Sequence, residues 1–100
     1  MGLETPQAGG RVVLTRDSVD EAAVNYVVGL HAPAQSWQSK ASIRIADGDV
    51  TFESFDGEGE PPAWLVDMAR AFLRTVWAGR QKESSPKWPR RLRRWRAPKP

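Results

Sequence analysis

Pro61-Pro62-Ala63-Trp64-Leu65-Val66-Asp67-Met68-Ala69-Arg70-Ala71-Phe72-Leu73-Arg74-Thr75-Val76-Trp77-Ala78-Gly79-Arg80 has the spacing of an amphipathic helix. At about 100° per residue, Leu65, Met68, Ala69, Phe72 and Val76 share one side, and Asp67, Arg70 and Arg74 share the other. Pro62 suits a first turn, where its missing N–H costs nothing. Gly79, followed by the cations Arg80 and Lys82, suits an end. Asp67 and Arg70, three apart on the wet side, read as a surface ion pair. Trp64 widens the apolar arc on one flank, and Val66, Leu73 and Trp77 widen it on the other. The arc then spans roughly 220°, against about 100° for a single packing stripe, so a second element is expected to cover the Trp77 flank.

The nearest segment able to do so lies downstream, in Ser84-Ser85-Pro86-Lys87-Trp88-Pro89-Arg90-Arg91-Leu92-Arg93-Arg94-Trp95-Arg96. Trp88, Leu92 and Trp95 are four and three residues apart, the spacing of one face of a short helix opened by Pro89. Docked on the body, that stripe would join Phe52, Leu65, Phe72, Val76 and Trp77 as structural residues. It would leave Arg90, Arg91, Arg93, Arg94 and Arg96 facing solvent as partner-binding residues. The same segment also reads as a free arm, or as an arm docked on a second copy in a swapped homodimer. In composition alone it resembles Trp/Arg-rich antimicrobial peptides, a resemblance that does not extend to the rest of the chain.

Upstream of the helix the period changes from 3.6 to 2. In Trp37 to Ala46, Ala41, Ile43 and Ile45 alternate with Lys40, Ser42 and Arg44, as in a strand with one wet face. Asp47-Gly48 then favours a tight hairpin, and Val50 and Phe52 continue on the returning strand. Ile43, Ile45, Val50 and Phe52 are therefore expected to face the helix. Arg11-Val12-Val13-Leu14-Thr15 is a further β-prone run, with turn chemistry at Arg16-Asp17-Ser18.

Residues 19–30 support two readings. Ser18-Val19-Asp20-Glu21 fits a capping box ahead of helical spacing at Val19, Ala22, Ala23, Tyr26, Val27 and Leu30. Val24, Tyr26 and Val28 also alternate with Asn25, Val27 and Gly29, and their side chains favour strands; the strand reading is preferred. The fold class that follows is α+β. A small antiparallel sheet of three or four strands is covered on one face by a long C-terminal helix, with a short basic amphipathic helix after it. Residues 1–10 read as a disordered leader, 11–83 as the domain, 84–96 as the basic segment docked on it, and 97–100 as a disordered end.

Charge is unevenly distributed along the 100 residues. Through Pro86 there are eight Lys/Arg against twelve Asp/Glu, whereas Lys87 to Pro100 holds seven Lys/Arg and no acid. An acidic body thus carries a basic end, which meets either an external polyanion or the body's own carboxylates. There are no cysteines, which excludes disulfides and thiolate metal sites. No stretch has the length and apolarity of a membrane span, and the amino terminus lacks the basic start and apolar run of a secretory signal, so a cytoplasmic protein is expected.

No catalytic, cofactor-binding or metal-binding constellation is expected. His31 is the single histidine and sits at a strand end. Asp56-Gly57-Glu58-Gly59-Glu60 has the alternation of a calcium loop, but Pro61 stands where an EF-hand needs glycine, so a solvated loop is expected. Asp47 with Asp49, and Glu58 with Glu60, fall in turns where water leaves carboxylate acidity ordinary. The expected function is a non-enzymatic interaction module whose arginines meet an acidic partner protein. The alternative is nucleic-acid binding through the same residues, with a log–log salt slope of about −4 to −5 if all five arginines neutralise phosphates. Binding to a membrane surface is a third and weaker possibility.

Overall fold

The computed structural model describes residues 9–81 and 88–96. Residues 1–8, 82–87 and 97–100, which include most of the expected leader, the start of the basic segment and the chain end, lie outside the described residues. Five strands, β1 (Gly10–Val19), β2 (Ala23–His31), β3 (Ser36–Arg44), β4 (Val50–Phe52) and β5 (Arg91–Arg96), form one antiparallel sheet in the order β4-β3-β2-β1-β5. Among the described residues a single helix, α1 (Ala63–Gln81), packs on one face. The α+β class is as expected, with one strand more than the sequence suggested.

The ambiguous segment is β2. Its side chains alternate strictly, with Val24, Tyr26, Val28 and Leu30 buried under α1 and Asn25, Val27, Gly29 and His31 on the opposite face. The β-branched side chains there fit a pleated surface paired on both sides, by β1 and β3, and this outweighs the helical spacing. The β1–β2 turn comes later than expected, because Asp17 is an extra residue in a bulge between the Arg16–Tyr26 and Ser18–Asn25 pairs. Asp20 then closes the turn, its Oδ1 accepting from the Ala22 and Ala23 N–H groups at 2.7 and 2.9 Å. These bonds favour the carboxylate and hold Asp20 below its usual acidity range.

α1 buries Leu65, Met68, Ala69, Phe72, Leu73 and Val76, each larger side chain contributing about 1.5–3 kcal/mol. Ile43 and Val50 lie in the same core, and Ile45 and Phe52 pack half-buried against it. The wide apolar arc is explained at its two ends. Trp64 and Leu65 lie against Gly10, where an added Cβ would stand 2.7 Å from each side chain. Trp77 lies over Gly48, and its indole N–H donates to the Ile45 carbonyl at 2.9 Å. The element covering the Trp77 flank is thus the β3–β4 turn, not the basic segment.

Gly48 takes φ 76°, the left-handed geometry that the Asp-Gly pair anticipates. In the same turn Arg44 clamps Asp47, with Nε on Oδ1 and Nη2 on Oδ2, both at 2.9 Å. Asp47 is therefore not ordinary: the Arg44 hydrogen bond, followed by the Asp49 N–H, lowers its pKa. Two expectations for the helix also change. Gly79 does not end it, since α1 continues to Gln81. Arg70 turns away from Asp67, donating to the Val50 carbonyl at 2.6 Å and lying 5.0 Å over the Phe52 ring.

The main correction concerns the basic segment, which is a strand and not a short helix. β5 pairs antiparallel with β1 from Gly10–Arg96 to Thr15–Arg91. A helix this short is marginal even for good helix formers, whereas pairing satisfies the outer N–H and C=O groups of β1, a strand whose Val12 and Leu14 are fully buried. Trp88 enters the core ahead of β5, Arg16 donates to its carbonyl at 2.8 Å, and Leu92 packs at the core's margin.

Candidate functional site

One face of the sheet carries α1; the other, which among the described residues no helix or second sheet covers, is here the open face, and strand pairing sets its rows. Trp95, Arg11, His31 and Ser36 form one row across β5, β1, β2 and β3, because Arg11 pairs with both Trp95 and His31, and His31 pairs with Ser36. The next row is Arg93, Val13, Gly29 and Gln38, and the third is Arg91, Thr15, Val27 and Lys40. Successive rows are about 6.7 Å apart along the strands. Among the strand residues of β5, β1 and β2 in these three rows, three are arginines and none is acidic.

The five arginines expected to act together are divided by the strand geometry. Arg91 and Arg93 are exposed on the open face. Arg94 points to the other face, its guanidinium 4.3 Å over the Phe72 ring, where it covers the edge of the core. Arg90 precedes β5 beside Trp88 and the bulged end of β1, and its carbonyl accepts from the Arg16 N–H at 2.8 Å. Arg96 pairs through its backbone with Gly10. Trp88 and Trp95, read as one stripe, are separated as well: Trp88 is buried and Trp95 is 51% exposed.

Arg11 and His31 enter the site although the sequence reading did not include them. Their signal was the period-two pattern of β1 and β2, which puts Arg11 opposite the buried face of Val12 and Leu14. His31 folds back over Gly29, whose added Cβ would stand 2.9 Å from Nε2, and its Nδ1 lies 2.9 Å from the Ser36 hydroxyl. Val13, on the same open face, is only 6% exposed. The surface therefore has a hydrophobic floor with cations and two aromatic rings above it.

Beyond the third row the open face dips into a concavity of about 410 Å³ lined by Asp17, Asn25, Lys40, Ser42, Thr51 and Glu53. The bulge at Asp17 brings that carboxylate to the rim. The acidic loop borders these rows at their β3 end, where the Gln38–Asp56 bridge extends the second row and the Trp37 indole N–H donates to the Glu58 carbonyl at 3.0 Å. Among the described residues no helix is long and apolar enough to cross a membrane, and no cluster of three or more His, Asp or Glu could hold a metal.

Comparison with protein-family models, curated proteins and solved structures returned no match.

Proposed function

We propose that this chain is a non-enzymatic module that binds single-stranded nucleic acid on the open face of its sheet. Arg11, Arg91 and Arg93 would pair with phosphates, and Trp95 would stack under a base. The observation that supports this reading is the placement of Trp95 and those three arginines on adjacent open rows. Guanidinium groups pair bidentately with phosphate, and an exposed indole offers a face to any base. Duplex recognition has less support, since the only helix among the described residues lies on the opposite face of the sheet.

An acidic partner protein, the first expectation from the sequence, is the competing occupant. Binding of a fluorescent mixed-sequence DNA single strand, followed by anisotropy across a salt series, separates the two. Three phosphate contacts predict a log–log slope of about −2, from roughly −0.7 per contact on single strands. Trp95→Ala should weaken binding tenfold or more, because stacking is worth about 1–3 kcal/mol per base. Polyglutamate binding equal to DNA binding, with Trp95→Ala without effect, would favour the acidic protein. Absence of DNA binding at low salt would refute the proposal.

A further inference from the structure

The basic rows explain attachment to a backbone but not why a polar concavity adjoins them. Its lining mixes acceptors with donors: the carboxylates of Asp17 and Glu53, the hydroxyls of Ser42 and Thr51, the Asn25 amide and the Lys40 ammonium. The Asn25 amide N–H₂ donates to the Ser18 hydroxyl at 2.9 Å, which orients its carbonyl oxygen as a further acceptor. Phosphate is poorly matched to this lining, because two carboxylates would oppose it. A neutral planar ligand carrying an amino group is well matched.

The concavity also lies on the path of the proposed strand. From the row of His31 to that of Asn25 is six residues along β2, about 20 Å at 3.4 Å per residue, so a few nucleotides laid along the arginine rows would reach it. We infer that the concavity receives one unstacked base bearing an exocyclic amino group, with the Asp17 or the Glu53 carboxylate, which lie on opposite sides of it, accepting an N–H bond, and so gives the face a preference for cytosine over thymine. A carboxylate accepts from the cytosine N4 amine but meets the thymine O4 as a second acceptor, leaving both groups without a donor. Lys40 and the hydroxyls would serve the remaining base acceptors. This inference rests on the proposed single-strand function and adds base discrimination to it.

The test compares oligo-dC with oligo-dT of equal length, at pH 7.5 and fixed salt, for the full chain and for the Asp17→Ala/Glu53→Ala variant. The readout is the ratio of the two affinities. Removing negative charge beside the arginines should strengthen binding to both oligomers, and the ratio cancels that effect. The full chain should prefer dC roughly tenfold, the scale of one charge-assisted hydrogen bond, and the variant should show a ratio near one. Equal binding of dC and dT by the full chain would overturn the inference while leaving the proposed function standing. A preference that survives in the variant would also overturn it. Failure to bind either oligomer would overturn both. Asp17 and Glu53 are exposed, and a matching urea midpoint for the variant would establish that it is folded.

Discussion

The Tyr26 hydroxyl donates to the Pro89 carbonyl at 2.8 Å, tying the central strand β2 to the residues that lead into β5. Tyr26 is fully buried and is the only tyrosine in the chain. Burial, partly offset by the positive charge of Arg16, pushes its phenol up to about 12. The neutral phenol is therefore the form the fold stabilises, fully so below the ordinary value of 10 and decreasingly as pH rises from there toward 12. Phenolate absorbance should stay silent through pH 10.5 in the folded protein and appear near pH 12 or with alkaline unfolding. Titration near pH 10 without unfolding would contradict the buried hydrogen bond. Tyr26→Phe should cost about 1–2 kcal/mol in urea, the loss of one hydrogen bond with its acceptor left buried.

Phe72 meets two elements at once, the core beneath α1 and the Arg94 guanidinium above its ring. Phe72→Ala should cost about 3–5 kcal/mol, whereas Arg94→Ala should cost about 0.5–1 kcal/mol. A double-mutant cycle should show coupling between them, since the Arg94 contact has no ring to rest on once Phe72 is gone. Additive losses would mean that Arg94 contributes nothing through Phe72.

Two glycines should respond in opposite directions to alanine. Gly48 has φ 76°, and an added Cβ would lie 2.6 Å from the Trp77 ring, so Gly48→Ala should lower the melting temperature. Gly79 lies inside α1 with open space around it, and Gly79→Ala should stabilise the chain by about 1 kcal/mol through helix propensity. A stabilising Gly48→Ala would contradict the Trp77 contact.

Acid should weaken the β3–β4 turn by a traceable route. The Asp47 carboxylate is held below its ordinary value of 3.8 by Arg44 and the Asp49 N–H, so its contribution is present above that value and fades as pH falls through the depressed one. Asp47→Asn should therefore be less stable than wild type at pH 7, and the gap should narrow at pH 2. Both groups are exposed and the effect is small, so chemical denaturation at the two pH values is the suitable measurement. A gap that is constant with pH would exclude the ion pair as its source.

Much of the sheet was legible because one face of it is buried. Alternation at Ala41, Ile43, Val50 and Phe52 and the Asp-Gly turn fixed β3 and β4, and the 3.6 period fixed α1. β5 was not legible as a strand. Trp88, Leu92 and Trp95 are spaced for a helix, while the period-two reading puts Leu92 and Arg94 on one face and Arg91, Arg93 and Trp95 on the other. Local pattern cannot choose between them; the unpaired edge of β1, distant in sequence, makes the choice. The candidate site was hidden for the same reason. Arg11, His31 and Asp17 join it only through cross-strand register and a bulge, and neither is written in any single segment.

Urea unfolding of the chain truncated after Ser85, beside the full chain, tests most directly whether the arginine-bearing end is built into the fold. With Trp88, Leu92 and the pairing of β5 along β1 removed, a loss of several kcal/mol is expected, because Trp88 alone is worth about 3–5 kcal/mol when deleted from a core. Unchanged stability would mean that β5 is no part of the folded sheet, and the open face assembled around Arg11, Arg93 and Trp95 would not exist as described.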